Sequence, residues 1–179
     1  MKKINMTDVQ EAGEFRRPEA GAYICKITKA VDYANEQYLE ISYDIDEGEF
    51  KGYYEDMRAR GYEWAGKYRK YYKDKAIPFF KRFCTAVSRS NGNYVFDAGE
   101  INCDEQTLIG KRVGLLFQEE EYYGNDGTLK TRLNVFREFS VDKLDQQKTP
   151  AKITAEAPAT ASSASVFVDA GTDEELPFA

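Results

Sequence analysis

Residues Gln37–Ile45 read QYLEISYDI, which places Leu39, Ile41, Tyr43 and Ile45 on one face and Glu40, Ser42 and Asp44 on the other. Apolar residues at every second position mark a strand with one packed face and one wet face. Working outward, Ala22–Val31 carries the β-branched and aromatic content of a preceding strand, entered through Pro18 and Gly21. Asp46, Glu47 and Gly48 form a turn, and Glu49–Tyr54 reads as a short third strand with a bulge at Gly52. Next comes MRARGYEWAGKYRKYYKDK, residues 57–75, in which Gly61 and Gly66 interrupt any helix, so a long, mobile, basic loop is expected.

Pro78 opens a helix, since proline lacks the N–H that a first turn leaves unused. Ile77, Phe80, Phe83, Cys84 and Val87 then share one stripe of that helix, which makes Phe80 and Phe83 core residues. Asn91-Gly92 ends it, and a polar connector follows over Ala98–Thr107. Leu108–Tyr122 alternates through Val113, Leu115 and Phe117, Gly124–Gly127 is a hairpin turn, and Leu129–Val141 is the returning strand. Three strands, a helix and a terminal hairpin are the element order of a mostly β, five-stranded OB-fold barrel with one helix between strands 3 and 4. The expected divisions are a flexible N-terminus at 1–14, the barrel at 15–145, a disordered linker at 146–172 and an acidic tip at 173–179. The linker, rich in Ala, Ser, Thr and Pro, has too few large apolar side chains to offset chain entropy.

Composition narrows the function. No histidine occurs among the 179 residues, which removes the usual general base and the commonest nucleophile pairings, so an enzyme is not expected. Cys25, Cys84 and Cys103 are widely spaced, with no C-x-x-C, and suggest neither a disulfide framework nor zinc; no cofactor is expected. The acidic residues Asp44, Asp46, Glu47 and Glu49 fail the calcium-loop pattern, because Gly48 stands where a further ligand is needed. With no long apolar run and no signal-peptide centre, the chain is expected in the cytoplasm.

The formal net charge is −6, yet between Lys51 and Arg89 eleven Lys or Arg stand against four Asp or Glu. Aromatic rings are interleaved with those cations. Cations that displace counterions from phosphates, beside rings that stack on unpaired bases, point to a single nucleic-acid strand. The candidate stacking rings are Tyr53, Tyr54, Tyr62, Trp64, Tyr68, Tyr71 and Tyr72. Candidate phosphate contacts are Arg58, Arg60, Lys67, Arg69, Lys70, Lys73 and Lys75, with Lys111, Arg112, Lys130 and Arg132 of the hairpin as a second wall.

FKGYY (Phe50–Tyr54), PFFKRF (Pro78–Phe83), LIGKRVGLLFQEEEY (Leu108–Tyr122) and GNDGTLKTRL (Gly124–Leu133) together resemble the phage-encoded OB-fold single-stranded-DNA-binding proteins of Gram-positive hosts. At the C-terminus, DEELPF is similar to the acidic tip, of the form D-D-D-I-P-F, of bacterial single-stranded-DNA-binding proteins. The resemblance implies sequence-tolerant coating of single-stranded DNA during phage replication or recombination, in the cytoplasm of a bacterial host. It also implies recruitment of replication and recombination proteins through Asp173, Glu174, Glu175, Leu176, Pro177 and Phe178. Ala179 follows Phe178, so the terminal carboxylate is displaced by one residue from the family's position. The alternative class is a protein-binding adaptor or recombination accessory built on the same barrel.

Overall fold

The computed structural model describes residues 16–99 and 103–155. Its elements are β1 (Gly21–Tyr33), β2 (Tyr38–Ile45), α1 (Tyr53–Ala59), β3 (Lys67–Tyr71), α2 (Ile77–Ser90), β4 (Arg112–Tyr123) and β5 (Leu129–Phe139), with short 3₁₀ turns at Asp74–Ala76, Glu105–Leu108 and Val141–Gln146. The five strands form one antiparallel sheet in the order β3-β2-β1-β4-β5. Among the described residues, no helix is long and apolar enough to cross a membrane.

β1 serves two neighbours. Its first half pairs with β4, and from Cys25 onward it pairs with β2, with a bulge between Ile27 and Lys29. Such an extra residue bends a strand and strengthens its twist, so the sheet curls around its own apolar face. That face carries Cys25, Ile27, Ala30, Leu39, Ile41, Tyr43, Ile45, Val113, Leu115 and Phe117, all buried in one core cluster. α2 adds Phe80, Phe83, Ala86 and Val87 to it and packs on β3, β4 and β5. Ile77 departs from the expected stripe and stays 51% exposed at the first turn.

The strand order leaves β3 and β5 as the two outer strands, and the sheet is not closed by backbone pairing between them. A side-chain clasp joins them instead, with Lys70 Nζ of β3 at 2.7 Å from Glu138 Oε1 of β5. Arg82 of α2 lies 3.6 Å from the other carboxylate oxygen. Lys70 and Glu138 are both buried. Two charges out of water persist only when paired, and this pair ties the ends of the open sheet under α2.

The third strand differs from expectation. Residues Glu49–Tyr54 turn and enter α1, while Lys67–Tyr71, inside the expected mobile loop, pairs with β2 from Tyr38↔Tyr71 to Ser42↔Lys67. Asp44 is the physical reason. Its carboxylate accepts hydrogen bonds from the backbone N–H of Tyr54 (2.9 Å) and Glu55 (3.2 Å), satisfying donors that a helix start leaves orphaned. Asp44 and Ser42 are accordingly buried, so the polar face of β2 is wet only in part.

The return from α1 to β3 is equally fixed. Arg58 Nη1 donates to the carbonyls of Tyr43 (3.2 Å) and Ala65 (2.8 Å), and Gly66 accepts from the Tyr43 N–H. Gly66 has φ +65, and a Cβ there would lie 2.5 Å from the Tyr43 carbonyl oxygen and 2.6 Å from the Tyr54 Cβ. Only glycine fits that close approach.

The chain beyond residue 146 also keeps to the sheet as far as it is described. Past Phe117 the inner edge of β4 has no β1 partner, and Ile153 forms a parallel bridge to Glu120 there. Lys152 Nζ lies 2.7 Å from both Glu119 and Glu121. Ala151, Lys152 and Ile153 of the expected linker are thus laid along β4. The expected flexible N-terminus and acidic tip, Asp173–Phe178 included, lie outside the described residues.

Candidate nucleic-acid interface

Alternation along β3 divides the basic stretch. Tyr68 and Lys70 face the core and the clasp, while Lys67, Arg69 and Tyr71 face outward. On the outward face of the sheet the register sets up three rungs: Tyr33–Tyr38–Tyr71, Val31–Glu40–Arg69 and Lys29–Ser42–Lys67. The first rung is a row of rings. Tyr33 and Tyr38 stack with centroids 4.8 Å apart at 18°, and Tyr38 meets Tyr71 at 5.3 Å, tilted 56°. The Arg69 guanidinium lies 4.9 Å over the Tyr38 ring. Held between three neighbours, Tyr38 is only 8% exposed, whereas the flanking rings of Tyr33 and Tyr71 stay open.

Cations border both ends of this face. Lys73 Nζ sits 5.5 Å over the Tyr71 ring at one end, and Lys67 Nζ sits 5.4 Å over Trp64 at the other. Trp64 and Tyr62 project from the pinned turn between α1 and β3 at 71% and 60% exposure. At about 3.3 Å per residue, Lys67 and Tyr71 are separated by roughly 13 Å along β3, so the rings and cations span several nucleotides. Glu40, 4.0 Å from Lys67, is the one carboxylate on the three rungs. Arg69 stays charged: its pKa is raised, by a hydrogen bond with the Tyr71 side chain first and by its interaction with Tyr38 second.

Other sequence candidates take structural roles. Tyr54 and Tyr68 are packed in or against the core, and burial raises the pKa of both hydroxyls. Tyr53 is half-buried against Phe50 and Tyr54. Tyr72 turns inward onto Phe80 and donates its hydroxyl proton to Asp32 at 2.7 Å, with a pKa pushed up to about 12 by burial first and by that bond second. Lys70 is held by Glu138, and Arg58 by backbone carbonyls. These four tyrosines, the lysine and the arginine are engaged within the fold, packed on neighbouring rings or bonded to protein partners. Arg60, at the end of α1, and Lys75, in the 3₁₀ turn before α2, remain exposed.

The cations expected to form the hairpin wall each have a partner within the protein. Arg112 pairs with Asp46 at 3.1 Å and with Glu47, Lys130 with Asp126 at 3.1 Å, and Arg132 with Glu120 at 2.9 Å. Glu120 is held below the usual carboxylate range, chiefly by its hydrogen bond from Arg132. Lys111 lies 4.4 Å over the Tyr94 ring, beyond the end of α2. The acidic group near β2 is likewise occupied: Asp44 supports α1, Asp46 and Glu47 hold Arg112, and Glu49 holds Arg16 at 2.8 Å.

Sequence reasoning missed Tyr33, Tyr38 and Lys29. The signal for Tyr38 was present, since it shares the parity of Glu40 and Ser42 and so places a large ring on the polar face of β2. The chain matches no protein-family model and no curated protein.

Proposed function

We propose that this protein binds single-stranded DNA, with little sequence preference, across the outward face of β1, β2 and β3. The observation that carries this reading is the row Tyr33–Tyr38–Tyr71 flanked by Arg69, Lys73, Lys67 and Trp64. Bases stack on the open rings of Tyr71, Tyr33, Trp64 and Tyr62, while the cations neutralise phosphates that look alike in every sequence. Tyr38 supports its two neighbours rather than receiving a base.

The fold is read as a partly open OB barrel. The helix between β3 and β4, the shared and bent β1, and the Lys70–Glu138 clasp between the outer strands all favour it. In such barrels the face of strands 2 and 3 is the oligonucleotide surface, which agrees with the position of the tyrosine row. The role is coating of single strands during DNA replication or recombination, in a phage context, with the tip at Asp173–Phe178 as an anchor for partner proteins.

Titration of the full chain with dT oligonucleotides, followed by Trp64 fluorescence at several salt concentrations, tests the reading. Quenching of Trp64 with an affinity that falls steeply as salt rises is expected, because phosphate neutralisation releases counterions. Unquenched fluorescence with no salt dependence would favour a protein-binding adaptor instead.

A further inference from the structure

We propose that the groove between α2 and the connector that follows it is a docking site for a cationic, apolar-anchored segment of a partner protein. The groove has a volume of about 710 Å³ and is floored by Leu39, Tyr72, Phe80, Cys84 and Phe96. Ligand clefts commonly fall in the range of roughly 300–1,000 Å³ and are largely apolar with a few placed polar groups. Its apolar lining includes Ile77, which the helical pattern assigns to a buried stripe and which is nevertheless 51% exposed. An apolar cleft lined by a solvent-exposed aliphatic side chain suits an apolar anchor of a polypeptide.

Charge selects the partner. Asp32, Asp97 and Glu105 line the groove against the single cation Lys81. Among the described residues each accepts a hydrogen bond from a neutral donor: Asp32 from the Tyr72 hydroxyl, Asp97 from the Gly99 N–H and Glu105 from the Gln106 side-chain amide. The β4–β5 hairpin treats its acids differently, matching Glu119, Glu120, Glu121 and Asp126 with Lys or Arg. Three carboxylates around an apolar floor attract a lysine- or arginine-bearing segment and repel a phosphate backbone, so the groove and the tyrosine row take different ligands. The two sites adjoin, because Asp32 and Tyr72 of the groove are chain neighbours of Tyr33 and Tyr71 of the row. A partner seated in the groove is thereby held beside the strand-binding face.

The experiment uses the full chain and a short fluorescein-labelled peptide of alternating leucine and lysine, read by fluorescence anisotropy at physiological salt. Asp97→Asn with Glu105→Gln keeps the shape of the groove and removes two charges, and is expected to weaken binding about tenfold. Ile77→Ala also weakens it. Glu55→Gln with Asp56→Asn, which removes the same charge from α1, leaves it unchanged. Amide chemical shifts of the unmodified protein move at residues 77–84, 96–99 and 103–105 when the peptide is added. Equal weakening by both double variants, shifts scattered over the whole surface, or displacement of the peptide by a dT oligonucleotide would each overturn the proposal. Because dT binding is measured separately, failure here leaves the strand-binding reading standing, and the reverse also holds.

Discussion

Arg69 on β3 and Arg132 on β5 are the same residue in the same sheet, and both lie about 4.9 Å over a tyrosine ring. Arg132 also holds Glu120 at 2.9 Å, so its charge is answered inside the protein. Arg69 faces Glu40 across the β2–β3 register, but its neighbours in space are the rings of Tyr38 and Tyr71. A phosphate approaching the hairpin must compete with a carboxylate already in place, whereas one approaching β3 meets a cation held in position by rings. A count of basic residues therefore does not locate a nucleic-acid face. What sets β3 apart is that Arg69 and Lys73 form no ion pair among the described residues, while Lys67 has only the 4.0 Å contact to Glu40.

Lys70 gives the largest expected effect, and on stability rather than binding. It belongs to the same basic run as Arg69 but points inward, so Lys70→Ala strands the buried Glu138 and is expected to cost about 3 kcal/mol in chemical denaturation. Replacing both partners by apolar residues, Lys70→Met with Glu138→Leu, is expected to recover most of that loss. If Lys70→Ala instead leaves stability intact and removes DNA affinity, β3 does not divide into two faces as described.

Tyr71→Ala is next. It removes an open ring and the support on one side of Tyr38, and is expected to weaken dT binding by roughly 1–3 kcal/mol without a comparable loss of stability. Tyr54→Ala, by contrast, empties core volume and should lower stability first.

A finer contrast comes from paired neutralisations. Arg69→Gln should reduce the slope of log affinity against log salt by about 0.7, the value of one phosphate contact on a single strand. Arg132→Gln should leave that slope unchanged and shift affinity by no more than a few tenths of a kcal/mol. Equal slopes for the two variants would erase the distinction between β3 and the hairpin.

Much of the sheet was legible from sequence because alternation and turn chemistry are local. The parity of β2, the α2 stripe through Phe80, Phe83 and Val87, and the turn at Gly124–Gly127 each follow from a few adjacent residues. β3 was not legible, because KYRKY shows no apolar face: its inward pair is Tyr68 and a lysine whose partner, Glu138, lies 68 residues away. FKGYY has the composition of a strand, yet Asp44, ten residues before Tyr54, draws it into a helix. The same distance effect hid the tyrosine row, which forms only when the β1–β2 and β2–β3 registers bring Tyr33, Tyr38 and Tyr71 side by side. Arg112 and Arg132 are also paired with acids distant in sequence, which a local charge count does not see.

The most direct test is photo-crosslinking of the full chain to a single-stranded oligonucleotide carrying 5-iododeoxyuridine, with the modified residues identified by mass spectrometry. Crosslinks at Tyr33, Tyr71, Tyr62 and Trp64 are predicted. Crosslinks confined to Tyr122 and Tyr123 of the hairpin would contradict the placement of the strand on the face of β1, β2 and β3.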